Sequence, residues 1–123
     1  MVISKVSKRD GTIVDFKISK MVDAIEKAML SVKIDEDNLP KSLAEKTLME
    51  INKLHPEEYI PSVEEIQDII EKTLIREGHA AIAKSYILYR QKRAEQRKIK
   101  QNILGRLDDS KLSINGLLLA KSR

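Results

Sequence analysis

The chain opens on two short β-prone runs, Val2-Ile3-Ser4-Lys5-Val6-Ser7 and Thr12-Ile13-Val14-Asp15-Phe16, and then changes to apolar positions at helical spacing. Between the runs lies Lys8-Arg9-Asp10-Gly11. Asp-Gly is a strong short-range turn signal because glycine accepts a positive φ, so residues 2–17 read as a β-hairpin. Such a hairpin is marginal in water and must lie against something else. From Ile18 to Val32, the residues Ile18, Met21, Val22, Ile25, Ala28, Met29 and Val32 recur with the period of a helix. The polar, acidic stretch from Ser31 to Asn38 reads as a loop. Pro40 in an early-turn position, followed by Leu43, Leu48, Ile51 and Leu54, defines a second helix, which His55-Pro56 ends.

Tyr59-Ile60-Pro61 is short, β-prone and bounded by proline, which suits an edge strand. Ser62-Val63-Glu64-Glu65 matches a capping box with Ser62 at the N-cap. A third helix carries Ile66, Ile69, Ile70 and Leu74 on one face, with Gly78 as its stop. The fourth begins near His79 and runs through Ile82, Ala83, Tyr86, Ile87 and Arg90 into the charged run Gln91–Lys100. Leu104-Gly105-Arg106-Leu107-Asp108-Asp109 interrupts the helical pattern, and Leu112–Leu119 is an apolar run that needs a partner surface. The pattern predicts an α+β domain, mainly helical, of about four helices, a hairpin and one extra short strand. Helices of this length do not stand alone, so packing between their apolar faces must hold them.

Composition narrows the class. The 123 residues suit one domain with a real core, and with aromatics at only 3% that core must rest on aliphatic side chains and methionine. There is no cysteine, and the only histidines are His55 and His79, which excludes disulfide scaffolds, thiolate zinc sites, redox pairs and cysteine nucleophiles. No stretch reaches the roughly 18 apolar residues that span a bilayer. The N-terminus lacks the plan of a signal peptide, so cytoplasmic residence is expected. The balance of 23 Lys+Arg against 19 Asp+Glu gives a net charge of +4, which favours anionic ligands without choosing among them.

No catalytic constellation emerges. The histidines fall at helix ends, the carboxylates sit among lysines on helix surfaces, as at Glu26 and Glu71, and the four glycines are too scattered for a phosphate-binding glycine loop. The segment Val6-Ser7-Lys8-Arg9-Asp10-Gly11 stands out instead. Read plainly it is a charged hairpin tip. Read for function it is a phosphate grip, because two cations on a rigid turn cost less entropy to aim than two on a loose loop. Lys20, Arg90, Lys92 and Arg93 add cations on other elements that could converge with it on one triphosphate.

The stations Val6-x-Lys8-Arg9-Asp10-Gly11, Phe16-x-x-x-Lys20, Ser62-Val63-Glu64-Glu65-Ile66-Gln67-Asp68 and Ala83-Lys84-Ser85-Tyr86-Ile87-x-Tyr89-Arg90-x-x-Arg93 occur in the order seen in ATP-cone domains. Over about residues 3–95 the chain resembles that family, the nucleotide-sensing module at the N-terminus of many ribonucleotide reductases. The resemblance implies a four-helix bundle capped by a small three-stranded β-sheet, with ATP or dATP, with or without magnesium, bound between cap and helices. By position it implies that Lys8, Arg9 and Lys20 meet phosphates, with Lys92 or Arg93 helping from the fourth helix. It further implies that Val6 and the hairpin backbone, Gly11 included, border the adenine, and that Gln67 faces the nucleotide. Val14 and Lys17 depart from polar side chains that some members carry there. The cone-bearing zinc-ribbon repressors of reductase genes are excluded, because their ribbon needs four cysteines.

Leu107-Asp108-Asp109-Ser110-Lys111-Leu112-Ser113-Ile114-Asn115 resembles the linker between cone and catalytic barrel in cobalamin-dependent (class II) reductases. Residues 1–100 are thus expected to form the nucleotide-binding domain and 101–123 a tail at the junction to a barrel, whether the chain is a fragment, a split gene product or a free-standing relic. The expected function is that of an ATP- or dATP-binding allosteric domain of, or derived from, a ribonucleotide reductase, with no catalytic or cobalamin site of its own. Its expected partners are a reductase catalytic subunit or a second copy of itself, with no membrane. The alternative is a basic nucleic-acid-binding helical module, since Arg90–Arg106 holds seven Lys/Arg against one Glu. Few aromatics for base stacking weigh against it.

Overall fold

The structure is a computed structural model that describes residues 3–109. In chain order it contains β1 (Lys5–Ser7), β2 (Ile13–Asp15), α1 (Ile18–Ser31), α2 (Leu39–Leu54), α3 (Val63–Arg76) and α4 (Ala80–Asp109), an α+β arrangement that is mainly helical. β1 and β2 pair antiparallel with Val6 opposite Val14. Both are shorter than the runs that predicted them, although the Phe16 N–H still donates to the Ser4 carbonyl at 2.9 Å. The Asp-Gly turn forms as expected. Gly11 takes φ +89° and its N–H donates to the Lys8 carbonyl at 2.9 Å, a conformation that a side chain would strain.

The third strand expected at Tyr59-Ile60-Pro61 is reduced to one parallel bridge between Ser7 and Ser62, in which the Ser7 N–H donates to the Pro61 carbonyl at 2.9 Å. Pro61 has no N–H to return, and Ser62 already serves as N-cap of α3, so the pairing stops after one step. Among the described residues the sheet has two strands.

Each helix ends for a local reason. α1 closes through Lys33, at φ +61°, with the Ile34 N–H donating to the Met29 carbonyl at 3.0 Å. α2 carries Pro40 in its first turn, where a missing N–H costs nothing, and ends at His55 before Pro56. α3 starts at the expected cap, the Glu65 N–H donating to Ser62 Oγ at 3.0 Å. Only half of the capping box forms, because the Glu65 side chain is engaged by His55 and Tyr59. The expected break at Leu104–Asp109 does not occur, and α4 continues to Asp109. A glycine inside a helix costs only about 1 kcal/mol relative to alanine, which Gly105 alone does not make into a stop.

The described residues fall into two compact units, one up to Tyr89 and one from Arg90 onward. The first holds the hairpin and the core. Ile25 and Met29 of α1, Leu43 and Ile51 of α2, Ile70 and Leu74 of α3, and Ile82 and Tyr86 of α4 are buried in one cluster, joined by Ile3 and Val6. α1 packs on α2, and α2 on α3. Each aliphatic side chain so buried contributes on the order of 2 kcal/mol. The apolar run Leu112–Leu119 and the linker resemblance beyond Asp109 lie outside the described residues. No helix among the described residues is long and apolar enough to cross a membrane.

Candidate functional site

In the first unit a cavity of about 440 Å³ lies between the hairpin and the helices. One wall comes from alternate residues of the hairpin. Val6 and Lys8 belong to the first arm, Val14 and Phe16 to the second, and the Val6–Val14 pairing sets them on one face. α1 contributes Lys20, Met21 and Ala24, α3 contributes Val63, Ile66, Gln67 and Ile70, and Tyr86 of α4 completes the floor. Ile66, Ile70, Met21 and Tyr86 are all core residues, so the floor is apolar and firmly packed.

The rim is basic. Lys8, Lys17 and Lys20 reach the cavity from the hairpin, from the residue before α1 and from its first turn. Asp15 is the one carboxylate among its lining residues. It is bonded to Lys5 Nζ at 2.5 Å, which holds its carboxyl below the usual aspartate range and keeps it ionised and paired. An apolar floor that takes a flat ring, below cations that take negative charge, suits a ligand with those two parts, and the volume fits a molecule of nucleotide size. A single loose lysine would pay more entropy to reach such a ligand, whereas the tip carrying Lys8 is fixed from both sides. The Lys8 N–H donates to the Thr12 carbonyl at 2.8 Å, and the Thr12 N–H donates to Asp10 Oδ1 at 2.9 Å. The Thr12 bonds hold the Asp10 carboxyl below its ordinary value.

Of the residues singled out from sequence, Val6, Lys8, Lys20 and Gln67 line this cavity together. Arg9 is not among its lining residues; its guanidinium turns to α3, with Nε 2.5 Å from Glu64 Oε2 and Nη2 donating to Gln67 Oε1 at 3.4 Å. Gly11 shapes the turn and adds no wall. Lys92 and Arg93 are exposed on α4 in the second unit. Sequence reasoning missed Phe16, Ile66, Ile70 and Tyr86 as wall residues, and it named Val14 and Lys17, which also line the cavity, only as departures from the family pattern. The period-two rhythm of the hairpin could have found Phe16, and the rest were legible only as core or surface. His55 and Glu65 form a separate cluster with Tyr59 (His55 Nε2 to Glu65 Oε2, 2.7 Å). Among the described residues no group of three or more His, Asp or Glu is placed to hold a metal ion.

Comparison with known proteins gives this architecture its context. The family model described as the ATP cone domain matches residues 4–95. A vitamin B12-dependent ribonucleoside-diphosphate reductase of Thermoplasma acidophilum is 40% identical over 98% of this chain, and its namesake in Mycobacterium tuberculosis is 35% identical over 98%. The chain spans 16% of the length of each. The ribonucleoside-diphosphate reductase subunit alpha of Chlamydia trachomatis is 40% identical over 75% of this chain and 10% of its own length. The family match covers the hairpin, all three helices that follow it and the part of α4 that floors the cavity, so the chain belongs to the ATP-cone domain family.

Proposed function

We propose that the cavity takes up ATP or dATP and that the chain serves as the effector-sensing, regulatory part of a ribonucleotide reductase. The observation that carries this reading is the convergence of Lys8 and Lys20, from a fixed turn and a helix start, on one apolar-floored cavity beside Gln67. On this reading the base lies over the apolar floor beside Val6 and the hairpin backbone that Gly11 turns. Lys8, Lys20 and Arg9 meet the phosphates, and Gln67 donates from α3. A magnesium ion accompanying the nucleotide would ride on its phosphates, as such ions usually do. The four helices then act as a bundle, and the two-stranded hairpin, tied on by its Ser7–Ser62 bridge, acts as the cap. Residues 1–100 form the sensing domain and 101–123 the connection to a partner.

No bond-making step is assigned to these residues, so the output must be conformational. A ligand shifts an equilibrium only by its differential affinity for two states, and the hairpin both lines the cavity and carries Lys8. The receiver is a reductase catalytic subunit or a second copy of the chain. No observation favours the nucleic-acid alternative.

Calorimetry with ATP and dATP, alongside melting scans, tests the reading. At about 100 times the dissociation constant, ligand should stabilise the fold by roughly 2.7 kcal/mol. For a domain of this size that is a rise in melting temperature on the order of 10 °C. No heat and no shift with either nucleotide would overturn it.

A further inference from the structure

Arg9 neighbours Lys8 in the turn, yet the two point to different surroundings. Lys8 lines the cavity, whereas Arg9 Nε is paired with Glu64 Oε2 and Nη2 donates to Gln67 Oε1. Glu64 and Gln67 stand three residues apart on α3 and therefore share a helix face. Gln67 is the hinge of the arrangement, because it lines the cavity and also accepts from Arg9. A guanidinium recognises carboxylate and phosphate oxygens through the same donors, so Glu64 offers Arg9 what a phosphate would offer it. Both side chains remain partly open to water, 38% exposed for Arg9 and 48% for Glu64, so the pair is weak enough to exchange.

We propose that Glu64 is an internal competitor of the triphosphate, an acidic latch that holds Arg9 outside the cavity until phosphate displaces it. The inference rests on the nucleotide reading above and adds a residue that sets its affinity. Binding then has two stages. Lys8 and Lys20 already face the cavity and receive the anion first. Arg9 leaves Glu64 and Gln67 afterwards, which frees the Gln67 oxygen as well. Release of Arg9 also undoes the side-chain tie between the hairpin tip and the first turns of α3. The exchange is thus a difference between empty and filled states at the place where the hairpin meets a helix. Glu64 lowers affinity by the strength of an exposed ion pair, and the latch makes the site less sensitive to low nucleotide concentrations.

The test is calorimetric titration of ATP, at low ionic strength, into the full chain and its Glu64→Gln, Arg9→Ala and doubly substituted forms. Glu64→Gln should bind about two- to fivefold more tightly, the range of an exposed pair, and the gain should vanish when Arg9 is already alanine. It should also shrink at high salt. Unchanged or weaker binding by Glu64→Gln would overturn the latch, the latter making Glu64 a support for Arg9. An equal gain in the Arg9→Ala background would also overturn it, because that gain would be general charge relief. Absence of ATP binding in all four proteins would instead defeat the nucleotide reading, whereas binding by Glu64→Gln alone would support both. Should Glu64→Gln fail to melt cooperatively, Glu64→Ser, which suits the first turn of a helix, replaces it.

Discussion

His55 Nε2 lies 2.7 Å from Glu65 Oε2, and the hydroxyl of Tyr59 donates to the other oxygen of the same carboxylate at 2.7 Å. The His55 and Tyr59 rings stack with centroids 3.6 Å apart. One carboxylate in the first turn of α3 therefore gathers the end of α2 and the connecting segment. That segment leads to Pro61, whose carbonyl receives the Ser7 N–H, so the cluster sits beside a main-chain tie between the hairpin and the segment that enters α3.

The Glu65 hydrogen bond raises the Tyr59 hydroxyl above its ordinary value of about 10. A pKa raised on folding means that the stabilisation is complete below pH 10 and is lost as pH climbs through the raised value. Absorbance titration of the phenolate should find one tyrosine ionising later than the unfolded chain's. Melting in the alkaline range should lose this component in Tyr59→Phe. Coincident titration of Tyr59 with free tyrosine would contradict the bond.

Acid acts through different groups. Asp15 is lowered chiefly by its bond to Lys5, Asp10 by Thr12 and Glu77 by Lys46. Lowered pKa values place their contribution above the ordinary carboxylate range, to be lost as pH falls through the lowered values. Melting temperature should decline from about pH 4 downward. Because these pairs are exposed, Lys5→Ala should reduce that slope only slightly.

Ser62→Ala removes the acceptor of the Glu65 N–H and should lower stability by about 1 kcal/mol in a denaturant titration. A loss well below 0.5 kcal/mol would mean that water replaces the cap without cost.

Lys8→Ala and Lys20→Ala should each weaken ATP binding by about ten- to a hundredfold, the worth of one charge-assisted hydrogen bond. Both side chains are exposed, so melting without nucleotide should be unchanged. Affinity retained in either variant would remove that lysine from the site.

Leu74 is fully buried, and Leu74→Ala should cost about 2–5 kcal/mol, read as a lower denaturation midpoint. A loss below 1 kcal/mol would show that the surrounding helices collapse into the space.

The helices were legible because their apolar periodicity coincides with burial. Ile25, Ile51, Ile70 and Ile82 were all placed by spacing and are all in the core. The hairpin was legible because Asp10-Gly11 demands a turn that only glycine adopts without strain. What escaped depends on long-range geometry. Arg9 looks identical to Lys8 in sequence, and only the proximity of α3 sends one to Glu64 and leaves the other on the cavity. The third strand failed because β propensity is blind to where a proline's missing N–H falls in the pairing, and the break at Gly105 failed because one glycine is weaker than the helix around it.

Ile66, Ile70, Met21 and Tyr86 serve two masters, being at once the interior of the domain and the bed of its receptacle. Robustness and uptake are therefore drawn from the same side chains. A bulkier residue at Ala24, in the cavity wall, would add cohesion by filling the very space a visitor needs. Laboratory selection for heat tolerance alone should drift toward a sealed, deaf version of this domain.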